Sequence, residues 1–132
     1  MTHPFEAIAR LGVVPVIAIN DATDAIALAD ALLEGGLPVA EITSRTAAAA
    51  EAMSRIRAER PELIVGAGTL LDSASVATAR ESGARFGLAP GYDPVIVDAC
   101  QAHDLPFAPG VMTPSDLSLA VQRDLRIVKF FP

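Results

Sequence analysis

Short apolar runs return along this chain at an almost constant interval, and that rhythm limits its fold more than any other feature. The runs are Val13 to Ile19, Val39 to Thr43, Leu63 to Ala67, Arg85 to Ala89, Leu105 to Ala108 and Ile127 to Phe131; successive starts are 26, 24, 22, 20 and 22 residues apart. Each run is the length of one buried strand, and several lack polar alternation, as strands do when both faces are covered.

The intervals read as helices. Pro4 to Leu11 forms a first helix ahead of the strands. Asn20 or Asp21 caps a helix that runs through Glu34, with Ala25, Leu28, Ala29 and Leu32 as its apolar stripe and Gly35-Gly36 as its stop. Thr46 is read as the cap of the next, which continues to about Arg60 before Pro61. Asp72 or Ser73 opens another that Gly83 closes, and Asp93-Pro94 and Thr113-Pro114 each set a capping residue before a proline at the first helical position.

Strand–helix alternation of this kind makes a parallel sheet with right-handed crossovers. The units are even and no dinucleotide fingerprint follows the first strand, which favours a (β/α)8 barrel, the TIM barrel, over an open doubly wound sheet. The chain supplies the N-terminal helix, about six strands and five crossover helices. Residues 1–132 are therefore expected to form a single domain, an incomplete barrel lacking its last two βα units; restoring them and the missing helix adds on the order of 70 residues. The alternative is an open six-stranded domain that protects its edge by oligomerising.

Composition narrows the partners. Ten basic and 16 acidic side chains give a net charge of −6, which disfavours nucleic acid or an anionic membrane as the main partner while leaving room for one cationic pocket. No apolar run approaches the roughly 18 residues of a membrane span, and the Met1-Thr2-His3-Pro4 start has no export pattern, so a cytoplasmic location is expected. The lone Cys100 excludes an internal disulfide and reads as a small apolar packing group. No three-ligand spacing supports a metal site. His3 near the terminus and His103 between helix and strand are poor catalysts, and Arg55, Arg57 and Arg60 read as a solvated helix face.

Polar groups break the apolar pattern where strands end, the place where such folds gather their chemistry. In Glu41-Ile42-Thr43-Ser44-Arg45 the strand period puts Glu41, Thr43 and Arg45 on one face. A carboxylate there is either an ion-pair partner or functional. Gly66-Ala67-Gly68-Thr69 is either a plain strand-to-loop bend or an anion site to which Thr69 offers its hydroxyl and N–H; Pro90 shapes a rim by ordinary turn chemistry. Lys129, the only lysine, sits in Arg126-Ile127-Val128-Lys129-Phe130-Phe131-Pro132, sharing a face with Ile127 and Phe131. Lowering its pKa from about 10.4 by about three units, through burial and a nearby arginine, would make it a nucleophile. Pairing with Glu41 across the barrel is the competing account, and the residues alone leave both open.

These stretches resemble a known family, the class I 2-keto-3-deoxy-6-phosphogluconate (KDPG)/4-hydroxy-2-oxoglutarate (KHG) aldolases. The resemblance is carried by Val14 to Ile19, Glu41 to Thr46, Gly66 to Leu71, Pro90-Gly91, Pro109 to Pro114 and Lys129 to Pro132, and spans essentially the whole chain. It implies a (β/α)8 barrel, a homotrimer, and no metal or organic cofactor. It further implies that Lys129 forms the Schiff base, that Glu41 is the acid/base, that Arg45 and Thr69 bind the keto-acid carboxylate, and that Pro90 lines the substrate site. The family often has leucine in place of Ser44, which faces away from Lys129 by parity, and serine in place of Ala89, where the lost hydroxyl is expected to alter water placement. Its phosphate-binding elements belong to the last two strand–loop units, beyond Pro132.

The implied activity is cleavage of KDPG to pyruvate and glyceraldehyde 3-phosphate, of KHG to pyruvate and glyoxylate, or of both, with a small anionic 2-oxo acid as the partner. Two readings compete with it: a Schiff-base decarboxylase of an oxo diacid such as oxaloacetate, and a non-catalytic oligomeric or truncated barrel in which Glu41 and Lys129 form only an ion pair.

Overall fold

A computed structural model describes residues 3–132; Met1 and Thr2, part of the N-terminal stretch read above against export, lie outside the described residues. Helix α1 (Pro4–Leu11) comes first and ends on left-handed Gly12. Five parallel strands follow in sequential order: β1 (Val16–Ile17), β2 (Val39–Thr43), β3 (Ile64–Gly68), β4 (Phe86–Leu88) and β5 (Phe107–Ala108). A second parallel pair joins β6 (Gly110–Val111) to β7 (Lys129–Phe130). Helices α2 (Ala25–Glu34), α3 (Ala49–Glu59), α4 (Ser73–Glu81), α5 (Pro94–Ala102) and α6 (Pro114–Gln122) make the crossovers.

The six runs expected from the sequence thus become seven strands. The fifth run supplies only β5, which pairs back to β4 (Leu88↔Ala108); beyond Pro109, which lacks an N–H, the chain forms β6, a strand that no run marked, pairing forward to β7 (Gly110↔Lys129). The first run also shortens to two residues, with Pro15 next to it offering only its carbonyl, which accepts from the Glu41 N–H at 2.9 Å.

Strand parity sorts the side chains into two cores. Ala40, Ile42, Val65 and Ala67 face the helices and pack with Ala52, Met53, Ile56, Val76 and Ala79. Val39, Ile64 and Phe86 point the other way, where Phe5, Ile8 and Leu11 of α1 plug the end of the arc at which the strands begin. Complete burial of Phe86 contributes about 3 kcal/mol. Gly66, directly above Ile64 on the inner face, makes that burial possible, because a Cβ there would lie 2.2 Å from the Phe86 ring.

Most caps match the sequence. Asp72 and Ser75 form a reciprocal capping box, as do Thr113 and Asp116, and Asp93 accepts from the Val95 N–H at 2.8 Å. Asp21 caps a short 3-10 turn, Ala22–Asp24, that leads into α2. Thr46 does not cap: α3 starts at Ala49, and the Thr46 hydroxyl instead donates to the Ile19 carbonyl at 2.5 Å, tying the loop after β2 to the loop after β1. The arginines of α3 are also less free than expected. Arg60 forks onto Asp30 of α2, Arg57 donates to the Glu81 carbonyl, and Arg55 pairs with Glu51 one turn back.

Candidate active site

The inner face rises in layers from the apolar plug. On β2, Val39 belongs to the plug, Glu41 lies one layer higher and Thr43 ends the strand. On β3, Gly66 accommodates Phe86 and Gly68 accommodates Glu41: a Cβ at residue 68 would lie 2.0 Å from Glu41 Oε1. The two glycines are therefore not a bend. They lie within a straight strand, and the left-handed residue that follows is Thr69, at φ 59°. A β-branched residue seldom adopts that conformation, which marks the turn as constrained.

Above the plug opens a cavity of about 420 Å³, lined by Val16, Glu41, Thr43, Arg45, Thr69, Pro90, Lys129 and Phe131. All five residues singled out in the sequence border this one space. Val16, Thr43 and Phe131 complete the wall. Parity had put Thr43 with Glu41 and Phe131 with Lys129, whereas Val16 enters through the register Val16↔Glu41, which only strand pairing reveals.

Lys129 Nζ stands 3.6 Å from Glu41 Oε1, with the amine 4.7 Å from the centre of the Phe131 ring. The lysine side chain is 26% exposed and the glutamate 3%. The residues left open a lysine activated by burial and a nearby arginine or one paired with Glu41; the structure gives a partly exposed amine beside that carboxylate. Burial pushes the Glu41 pKa above the ordinary 4.5, and the charges of Lys129 and Arg45 offset part of that rise. A carboxylate so placed takes up a proton more readily than a free glutamate.

Arg45 follows β2 and is exposed, yet its Nε donates to the Thr43 hydroxyl at 3.2 Å, which in turn donates to the Ile17 carbonyl at 3.3 Å. Ser44, by contrast, lies on the other side, in a groove it shares with Thr46, Met53 and Asp72. Ala89 is buried in the helix-side core, and it is the next residue, Pro90, that lines the cavity. Ile127 also departs from the Lys129 face, bordering a groove with Phe5 and Pro106. His3 and His103 are outside the cavity, and Cys100 is buried, its thiol pushed up to about 12 by desolvation.

Among the described residues no group of three or more His, Cys, Asp or Glu could hold a metal ion, and no helix is long and apolar enough to cross a membrane. The chemistry on offer is an amine, a buried carboxylate within reach of it, and a guanidinium and a hydroxyl for an anion.

Comparison with known proteins agrees with this arrangement. A 2-dehydro-3-deoxy-phosphogluconate aldolase of Haemophilus influenzae is 45% identical over 127 residues, covering 96% of this chain and 60% of that protein. The KHG/KDPG aldolase of Escherichia coli is 41% identical over 120 residues, covering 91% and 56%. The KDPG aldolase of Legionella pneumophila, solved with pyruvate captured as a covalent carbinolamine intermediate, superposes with a TM-score of 0.86 at 35% identity, covering 90% of this chain and 58% of that one. The chain thus spans about 60% of the length of these relatives, and its arc of parallel strands and outer helices is part of a (β/α)8 barrel. The family described as KDPG and KHG aldolase matches residues 6–132, and this chain belongs to it.

Proposed function

We propose that the protein to which this chain contributes is a lysine Schiff-base aldolase that cleaves KDPG, KHG or both. The observation that carries this reading is Lys129 Nζ at 3.6 Å from the buried Glu41 carboxylate, in a cavity that Arg45 and Thr69 also border. An ion pair alone accounts for Glu41 and Lys129 but leaves the other two polar groups without a purpose.

Arg45 and Thr69 hold the carboxylate of the 2-oxo acid, which sets C2 against the amine. Glu41 accepts a proton from Lys129, and the neutral amine adds to C2 to give a carbinolamine. Loss of water, assisted by the proton now on Glu41, gives an iminium. The C4 hydroxyl then gives its proton to Glu41, directly or through a water, the C3–C4 bond breaks, and its electron pair moves into the iminium. An aldehyde leaves, glyceraldehyde 3-phosphate or glyoxylate, and the remaining enamine is protonated at C3 and hydrolysed to pyruvate and free lysine.

The proposal extends to a homotrimer in the cytoplasm. The support for association is a set of exposed apolar side chains: Leu71 in the loop after β3, Val95 in the first turn of α5 and Met112 just after β6. Light scattering on the intact protein reports the subunit number.

Borohydride reduction in the presence of pyruvate tests the chemistry. The expected result is a covalent three-carbon adduct at Lys129, absent in Lys129→Ala. Folded intact protein that takes no adduct would overturn the reading. Product assays with KDPG, KHG and oxaloacetate then separate aldehyde release from carbon dioxide release.

A further inference from the structure

Thr43 was not among the residues the sequence marked for chemistry, yet it is one of the few buried polar side chains in the described structure, at 2% exposure. Its hydroxyl has two defined partners. It donates to the Ile17 carbonyl at the end of β1, and it accepts from Arg45 Nε. A hydroxyl that spends its proton on a fixed carbonyl presents its lone pairs in a fixed direction. The long, otherwise mobile side chain of an exposed arginine is thereby held at its Nε. The bond to Thr43 is the one hydrogen bond its guanidinium makes among the described residues, so both Nη groups are left for an anion. A two-pronged grip on a carboxylate needs that pair of donors in a set orientation, and ordering a free arginine at the moment of binding carries an entropic cost.

We propose that Thr43 is a positioning residue for 2-oxo acid binding: its hydroxyl relays the fixed carbonyl of Ile17 to Arg45 and pre-orients the guanidinium toward the substrate carboxylate. This role rests on the aldolase reading and deepens it, assigning part of the carboxylate affinity to a side chain in the strand below the arginine.

The test is the pyruvate dependence of borohydride trapping at the Lys129 amine, measured on the intact protein. Thr43→Val keeps the shape and the strand preference and deletes the hydroxyl. It is expected to raise half-saturating pyruvate by about tenfold while the plateau rate changes less than twofold, and Thr43→Ser is expected to restore values near wild type. Thr43→Ala, the second hydroxyl deletion, shows the same shift if Thr43→Val disturbs folding. The decisive comparison is made in an Arg45→Ala background, where Thr43→Val is expected to add no further loss in the initial slope of adduct formation against pyruvate. An equal loss with and without the arginine would overturn the relay, as would unchanged pyruvate dependence in Thr43→Val. A wild-type protein that forms no adduct at all would instead remove the aldolase reading, and this role with it.

Discussion

Gly68 and Glu41 fit each other as a recess fits its occupant: the space a Cβ on residue 68 would fill lies 2.0 Å from Glu41 Oε1, 2.7 Å from Cδ and 2.8 Å from Cγ. The carboxylate reaches Lys129 because β3 carries no side chain at that level. Gly68→Ala is expected to displace Glu41 and to cut aldol cleavage at least tenfold, with a much smaller effect on the midpoint of thermal unfolding. Steady-state cleavage and melting, measured together on the same variant, check this.

Glu41 supplies a pH signature. Its carboxyl is raised above 4.5 by burial, so the activity limb governed by its deprotonation should have a midpoint above 4.5 and rise toward neutral pH. The sign for stability is opposite. The folded state holds this proton more tightly than the unfolded chain does, so the Glu41 contribution to stability declines as pH rises through that window. Glu41→Gln is expected to abolish the limb and to slow cleavage about 100-fold or more. A pH–rate profile of wild type beside the variant reads both.

Arg45→Ala should weaken binding of every 2-oxo acid, phosphorylated or not, by about tenfold or more, the scale of a charged hydrogen-bonded contact. Half-saturation constants for pyruvate, KDPG and KHG supply the measurement. A loss confined to phosphorylated substrates would place the arginine at the other end of the ligand.

Gly66 faces an aromatic ring in place of a carboxylate, so the same substitution has a different result there. A methyl at residue 66 would overlap Phe86, and overpacking of that kind costs about 1–3 kcal/mol. Gly66→Ala should therefore lower the denaturant midpoint, seen in urea unfolding followed by circular dichroism.

Cys100 should be silent toward thiol reagents at neutral pH in the folded protein, since it is 1% exposed and its thiol is pushed up to about 12. Alkylation rates followed with increasing urea are expected to rise only as the chain opens.

Periodicity located every parallel strand but β6, because a strand covered on both faces is an apolar run whatever its neighbours: Val39 to Thr43 matches β2 at both ends. Parity likewise put Thr43 beside Glu41 and Phe131 beside Lys129 on the faces that border the cavity. Features that depend on contact across the chain were hidden. Thr46 carries the residue type of a helix cap, but a carbonyl of the preceding loop takes its hydroxyl. Gly66 and Gly68 look like a bend in one dimension, whereas Phe86 and Glu41, 20 and 27 residues away, explain them. Pairing of Lys129 with Glu41 was one of two accounts the residues left open, and the structure puts the two groups 3.6 Å apart from separate sheets.

The break at Pro109 has a mechanical consequence. Glu41 belongs to one hydrogen-bonded sheet and Lys129 to another, so no continuous ladder of backbone bonds fixes the gap between the carboxylate and the amine. That gap is set by side-by-side fit, in which Gly110, the register partner of Lys129, lies so close to the Pro90 carbonyl that a Cβ would stand 2.2 Å from its oxygen. Alignment of the carboxylate and the amine thus behaves like the closing of two jaws against a stop, and a single added methyl at residue 110 would hold them apart without touching either one.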